Sequence, residues 1–500
     1  MNITMLSTMA ADGMGDRIAT GGLADGLSFS ELDLRARRVG ALLAAGSVER
    51  LGMVDLNSDA VPLALLGAAY AGVPFAPLNY RLADDRLRAV VERLAPATVV
   101  VADDFVGARI GAVAGITLLN RDELLAAAAD TAVSPVEEAP SDPDAVAVLL
   151  FTSGTSGEPK AAILRHHNLV SYIVATVEYA GAEPDEAALV GVPPYHVAGV
   201  SAVLSNLFAG RRVVRLESFD ARVWTDLARR ERITHAMVVP TMLGRILDEL
   251  DGTGLPALRS LSYGGGPMPL PVIQRALDAF PGVGFVNAYG LTETSSTVAV
   301  LGPDDHRAAF ASSDPQVRAR LGSVGRPLPS LDVSIRGSAG EELPPGERGE
   351  IWVRGEQVSG EYVGHRATRA DGWFPTRDAG MLDAGGYLYV FGRLDDVIVR
   401  GGENLSPGEI EAAVLEHPAV ADVAVFGVPD PEWGEAVAAA VVLEAGAGVT
   451  VDELRGHVRT LLRSTCAPAV VAFREALPYT DTGKLLRRVV RDEVLSGIQS

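Results

Sequence analysis

The sequence is short of the features that mark several common classes of protein. It carries one cysteine, Cys466, in 500 residues. No disulfide can form within the chain, which suits a reducing cytosol, and the lone thiol is expected to pack and not to react. No apolar run approaches the roughly 20 residues of a membrane span, and no basic segment with an apolar core behind it stands at the N-terminus. A soluble, unprocessed, cytoplasmic protein without integral membrane association is therefore expected. Positive charge is in deficit, with 43 Lys and Arg against 64 Asp and Glu for a formal net charge of −21. No basic cluster reverses that locally, which argues against nucleic acid and anionic membrane surfaces as partners. Anionic small ligands must be met by donors placed one at a time. There is no internal repeat and no low-complexity tail.

What is there is a well-buried globular chain: 48% hydrophobic residues and 21% charged ones, in a length too great for a single core. From Ser28 onward helix and strand alternate. Ser28 and Glu31 form a capping box ahead of a helix bearing Leu32, Val39, Leu42 and Leu43. There follow a strand near 53–56, a helix near 60–71, a strand at 73–76, a helix near 86–94 and a strand at 98–101. That rhythm predicts a parallel sheet layered with helices. A second alternating block spans strands near 189–192, 213–216, 235–239 and 258–263, with helices at 197–208, 221–230, 241–250 and 270–280. Past about residue 321 short strands with Gly and Pro turns suggest a β-rich subdomain, and past Arg393 the pattern becomes α+β. The fold class expected is α/β, a large N-terminal domain of stacked α/β layers over residues 1–393. It includes a β-rich part at about 321–393; a hinge at 394–396 and a small mobile α+β C-terminal domain at 397–500 follow.

The apolar run 145–150 reads as a buried strand that ends in Phe151-Thr152-Ser153-Gly154-Thr155-Ser156-Gly157-Glu158-Pro159-Lys160. Gly154 and Gly157 let the backbone turn and expose its N–H groups. Thr152, Ser153, Thr155 and Ser156 add hydroxyl donors and Lys160 a positive charge, a set able to hold a polyphosphate. A surface turn of the same composition is the plain alternative. The string is not a Walker loop, since Pro159 separates Lys160 from the nearest glycine and Ala161 follows. No Gly-x-Ser-x-Gly elbow suggests a hydrolase. Three further segments stand out. His196, in Val192-Pro-Pro-Tyr-His196, lies where a strand meets a helix, and alone it reads more readily as a structural imidazole. Tyr263-Gly264-Gly265-Gly266-Pro267 ends a strand with three residues lacking side chains, which admits a flat ring or simply a tight turn. His166 and His167 lack partners at metal-ligand spacing and read as solvent or helix-start residues.

The 151–160 string resembles the signature loop of the adenylate-forming superfamily: acyl-CoA synthetases, aryl-CoA ligases, luciferases and the adenylation domains of peptide synthetases. Further motifs follow in that family's order. By this resemblance His196 lines an acyl pocket, and Gly265, Gly266 and Pro267 border adenine. Asn287-Ala288-Tyr289-Gly290-Leu291-Thr292-Glu293 offers an aromatic face for adenine, a hydroxyl for the α-phosphate and a carboxylate, Glu293, for Mg²⁺. Asp378 would accept from the ribose hydroxyls, in a motif whose commoner spelling has glycine where Arg377 stands; that departure bears on the shape of the loop. Arg393 would bind ribose, Asp395 would be the pivot, and Gly401, Gly402 and Asn404 would meet the CoA thiol's tunnel. Lys484, in Thr482-Gly483-Lys484, would be the catalytic lysine, and the lysine that relatives often carry just ahead of Pro468 is missing.

The resemblance implies an ATP-dependent acyl-CoA synthetase that uses ATP, Mg²⁺ and coenzyme A on a carboxylic acid. An enzyme performing part of that sequence, such as one loading an acyl carrier protein or one thioesterifying a supplied adenylate, is the nearest rival. A catalytically silent nucleotide-binding module is the rival of another class. The acid itself, aliphatic, aryl or polycyclic, and the choice between monomer and homodimer stay open.

Overall fold

The computed structural model describes residues 1–152, 160–250, 252, 254–400, 403–479 and 485–498. Two large sheets dominate the first three quarters of the chain. One has eight strands and the other nine. In the eight-stranded sheet the parallel strands Leu51–Val54, Phe75–Pro77, Ala97–Val101 and Ile116–Asn120 come from the first alternating block. Their helices form as the sequence predicts. Ser28 caps Phe29–Ala45 in a complete capping box, Glu31 N–H donating to Ser28 Oγ at 3.2 Å and Ser28 N–H to Glu31 Oε2 at 2.9 Å. Ala60–Ala71 is apolar all round and is buried along eleven residues, so it sits inside the layer between the sheets. A helix with no counterpart in the sequence reading, Thr4–Met14, packs into the same core through Leu6, Ala10 and Met14.

The nine-stranded sheet is parallel through Arg212–Arg215, Ala187–Val190, His235–Val238, Ser260–Gly264 and Gly284–Leu291, in that spatial order. Ala187–Val190 therefore has its sequence successors on opposite sides. Its carboxyl end is a switch point, the place where an open α/β sheet leaves a crevice. One core joins the two sheets: Phe29, Leu51, Val148, Leu204 and Phe208 are all buried in it. Each such side chain contributes about 1.5–3 kcal/mol on burial.

Between 321 and 393 an antiparallel four-stranded sheet is made by Asp332–Arg336, Gly349–Arg354, Phe374–Leu382 and Leu388–Arg393. The short strands Glu361–Tyr362 and His365–Arg366 do not join it. They extend the eight-stranded sheet, Glu361 and Tyr362 pairing with Ile163 and Ala162. A three-residue 3₁₀ turn, Leu394–Asp396, then leads to a separate sheet with its own two apolar clusters, built on the long hairpin Val420–Asp430 and Gly434–Leu443. Cys466 is buried in one of those clusters, as its packing role requires. The helix-start reading of His166 holds and the solvent one does not. The residue begins the helix His166–Thr176, but it is 2% exposed and accepts from the Ile3 N–H at 3.5 Å.

Candidate active site

Parallel strands deliver their following loops to one edge, and here that edge collects the singled-out residues. After Ala187–Val190 the chain runs through Tyr195 to His196, which is the N-cap of Val197–Ala209. The imidazole lies 4.6 Å from the Tyr195 ring centroid, and Tyr195 meets Tyr80 edge-on at 5.5 Å. After Ser260–Gly264 comes the Gly265–Pro267 turn. A Cβ on Gly264 would lie 2.4 Å from Ala288 O, and Gly265 has φ +81°, so neither position accepts an ordinary side chain without disturbance. Tyr263 beneath it is buried and fixed by its hydroxyl, which donates to His306 Nε2 at 2.8 Å, while His306 Nδ1 lies 2.8 Å from Gly302 O. Burial pushes the Tyr263 hydroxyl up and the His306 imidazole down, so both stay neutral.

The next strand, Gly284–Leu291, carries Asn287, Ala288, Tyr289 and Gly290. Asn287 is buried and donates to Ser323 O at 3.1 Å. The Tyr289 hydroxyl donates to Asp378 Oδ2 at 2.6 Å, and Arg393 Nη1 donates to Asp378 Oδ1 at 3.1 Å and to Thr376 O at 2.7 Å. Asp378 and Arg393 are paired across the four-stranded sheet, so that sheet brings a carboxylate and a guanidinium to the tyrosine. Burial, and then the Asp378 charge, holds the Tyr289 hydroxyl well above the ordinary tyrosine range. For Arg393, burial works toward a lower value, but the Asp378 and Glu293 charges outweigh it and the net shift is upward. This is a cation kept among carboxylates.

Thr292 and Glu293 lie in the 3₁₀ turn Thr292–Thr294 that ends the strand. Glu293 is held twice by the segment that extends the other large sheet. Ser359 and Gly360 N–H groups donate to its carbonyl at 2.9 and 3.1 Å, and the Tyr362 hydroxyl donates to Oε1 of its carboxylate. Glu361 in turn is gripped by both arms of Arg165, Nε to Oε2 at 2.9 Å and Nη2 to Oε1 at 2.8 Å. That hydrogen-bonded pair holds the Glu361 carboxyl below its ordinary range. Arg165 belongs to Lys160–Arg165, the strand paired with Val146–Thr152 across the signature loop. Thr152 Oγ1 donates to Lys160 O at 3.3 Å, and Lys160 is exposed. Ser153, Gly154, Thr155, Ser156, Gly157, Gly401, Gly402 and Lys484 lie outside the described residues. Asn404 is in the strand Glu403–Leu405, and Asp395 is in the turn Leu394–Asp396.

Sequence reasoning missed Tyr362, Arg165 and Glu361, whose partners lie 69 and 196 residues away; no local pattern signals them. It also missed a signal that was in plain view. Lys160 and Lys484 are the only two lysines in the chain, every other Lys or Arg position being arginine.

Among the described residues no cluster of three or more His, Cys, Asp or Glu side chains could cage a metal. Glu293 alone suits a Mg²⁺ that arrives with phosphate ligands, since that ion commonly takes one or two carboxylates and fills the rest of its octahedron with phosphate and water oxygens.

The chain belongs to the AMP-binding enzyme family. That family's pattern matches residues 8–363, and the pattern of the AMP-binding enzyme C-terminal domain matches residues 409–484. It is 36% identical over 475 residues to a feruloyl-CoA synthase of an Amycolatopsis species, with 93% of each chain covered. It is 32% identical to a fatty acid–[acyl-carrier-protein] ligase, ScoC, of Streptomyces coeruleorubidus, covering 93% of this chain and 91% of that one. Among solved structures it is similar to the o-succinylbenzoate coenzyme A synthetase of Bacillus subtilis in complex with ATP and a magnesium ion. The TM-score is 0.84 and the identity 29%, over 97% of this chain and 99% of that one.

Proposed function

We infer that the protein is an ATP-dependent acyl-CoA synthetase, which joins a carboxylic acid to AMP and then passes the acyl group to coenzyme A. The observation that carries the site assignment is the hydrogen-bonded set Tyr289, Asp378 and Arg393 at the strand end that also bears Thr292 and Glu293. Asp378 and Arg393 would bind the ribose of ATP, the Tyr289 ring would lie against adenine, and the bare backbone of Gly265, Gly266 and Pro267 would border it together with Asn287, Ala288 and Gly290. Asp378 already accepts from Tyr289 and Arg393, so a ribose would join a carboxylate that is ordered beforehand.

In the first step a carboxylate oxygen attacks the α-phosphorus and the bond to pyrophosphate breaks. Thr292 would donate to the α-phosphate, and the 151–160 loop, with Thr152 and Lys160 at its ends, would hold the departing pyrophosphate. Glu293 would hold Mg²⁺, which when bound neutralises phosphate charge. Two anions repel as they approach, and Lys484 would offset that repulsion as it peaks. In the second step the CoA thiolate attacks the acyl carbon and AMP leaves. This step needs the small domain to turn about Asp395, removing Lys484 and presenting Gly401, Gly402 and Asn404 to the thiol. His196 would move with that change at the wall of the acyl pocket.

The acid is proposed to be aromatic. The similarity to a feruloyl-CoA synthase and to an o-succinylbenzoate coenzyme A synthetase supports this. Pyrophosphate release with a panel of arylpropenoic, benzoic, medium-chain and polycyclic acids tests it. An aromatic acid should give the highest kcat/KM; preference for an alkyl chain would overturn the substrate class, and no acid-dependent AMP release would overturn the enzyme reading. Thioester yield with CoA against a carrier protein identifies the acceptor.

A further inference from the structure

The turn Leu394–Asp396 carries the chain from the four-stranded sheet, which ends at Arg393, to the strand Ile398–Arg400 of the small domain's sheet. Its two adjacent carboxylates are tied to opposite sides. Asp396 accepts from Arg487 Nη1 at 3.1 Å, and Arg487, at the start of the helix Arg487–Ile498, also grips Glu411 at 2.7 and 2.9 Å. Asp395 accepts from Arg377 Nη2 at 2.5 Å, and Arg377 stands on the strand Phe374–Leu382 of the large body. The backbone there is unusual for an arginine. Arg377 has φ +63°, a conformation that favours glycine. Glu350 Oε1 accepts from its N–H at 3.1 Å, and Glu350 Oε2 is itself fixed by Trp352 Nε1 at 2.9 Å. A side chain is thus kept at a position where its absence would relieve the backbone, and what the side chain does is reach the turn.

We propose that Arg377 is a positioning residue for the two-step reaction: its guanidinium tethers Asp395 to the large body and so favours the present orientation of the small domain over the other one the reaction visits. This rests on the reading of Leu394–Asp396 as the pivot. Asp395 is anchored on the body side and Asp396 on the small-domain side, so a rotation at the turn works against Arg377 without disturbing the Arg487 anchor. Among the described residues two other hydrogen-bonded links cross beside the turn. Arg348 pairs with Glu409 at 2.8 and 3.2 Å, and Ser406 Oγ donates to Phe391 O at 2.7 Å. The tether therefore biases the orientation and does not fix it.

The test compares Arg377→Gly and Arg377→Lys with the unchanged protein in two assays, acid-dependent pyrophosphate exchange without CoA and thioester formation from a synthetic acyl-adenylate. Glycine suits the backbone at this position, so the variant should fold. The pair is solvent-exposed on both sides, and losing such a pair should change the ratio of the two rates about two- to fivefold, one rate rising as the other falls. The lysine variant should restore most of the ratio. An unchanged ratio, or both rates falling in parallel, overturns the proposal. Asp395→Pro separates it from the reading beneath: that variant should spare exchange and block transfer. If it leaves transfer intact, the pivot reading fails; if it blocks transfer while Arg377→Gly leaves the ratio unchanged, only the tether fails.

Discussion

Replacing Tyr362 by phenylalanine removes one hydroxyl and leaves the ring, the strand pairing with Ala162 and the stacking on His365 in place. What is lost is the donor to Glu293 Oε1. Glu293 is 9% exposed, so water cannot readily supply a substitute. Burial, then the Glu293 charge, pushes the tyrosine hydroxyl far above its ordinary range, so it is a donor at every pH of interest. A hydrogen bond to a charged group is worth about 1.5–3 kcal/mol, which is about 10- to 150-fold in rate if the whole of it serves the transition state. Loss of a partner that orients a metal-ligating group has typical effects of about 10- to 100-fold, in the same range. We therefore expect Tyr362→Phe to lower acid-dependent pyrophosphate exchange by one to two orders of magnitude and to raise the Mg²⁺ concentration needed for half-maximal rate. Thioester formation from a supplied adenylate should change little. In a Glu293→Gln background the same substitution should have almost no further effect, because the two residues act as a unit. Exchange and Mg²⁺ dependence both within twofold of the unchanged protein, or fully additive losses in the double variant, would refute the reasoning.

Lys484→Ala should cost exchange far more than thioesterification of a preformed adenylate, and equal losses in the two assays would remove the lysine from the first step. Lys484→Arg should fail to restore exchange. Pyridoxal phosphate with borohydride can label only two lysine side chains in this protein, and ATP should protect both as read by peptide mass; labelling unaffected by ATP would contradict their placement around the phosphates. Stability should fall on mild acidification through His166. Burial lowers its pKa from 6.5 to about 4, so between those values the unfolded chain binds more protons and folding weakens as pH falls. The full effect is about 3 kcal/mol by pH 4. His166→Gln should flatten the dependence of the urea midpoint on pH in that window; His235, also held at about 4 by burial, leaves some slope behind, and an unaltered slope would exclude the His166 contribution.

Much of the architecture could be read from local chemistry because it is locally determined. A capping box at Ser28 fixes where a helix starts whatever surrounds it. Ala60–Ala71 forms with its expected ends, a run of Ala and Leu closed by Gly72 in the left-handed conformation. Residues proposed to act where a strand ends, such as Tyr289 and Glu293, stand in the sequence as one ordered string, and the structure places them at that strand end. Their supports form no such string. Arg165 finds Glu361 through a two-residue strand that lies within the stretch expected to be β-rich but pairs with the other large sheet, and only the folded chain says so. For His166 the helix start was legible and the burial was not: it accepts from the N–H of Ile3, far off in the sequence, and without that contact a histidine at a helix start looks solvated. Arg377 was visible only as a departure from a commoner spelling. Its consequence lies in a side chain reaching 18 residues along the chain to Asp395.

The two lysines sharpen the mechanism in a way neither motif does alone. Among the described residues the Lys or Arg side chains paired with carboxylates are arginines, as in Arg165 with Glu361, Arg348 with Glu409 and Arg487 with Glu411. The rigid fork matches two carboxylate oxygens and is pre-organised to stay there. A cation that must arrive between two approaching anions and then leave has opposite needs. A fork bound to either anion would be slow to release it and would spread its charge over a plane, whereas an ammonium is compact, strongly hydrated and free to turn on a flexible stem. Lysine at 160 and 484, against arginine at every other Lys or Arg position, fits the proposed role of both in meeting phosphate charge. Among the described residues Lys160 is exposed and pairs with no carboxylate, which is the state such a role requires before the phosphates arrive.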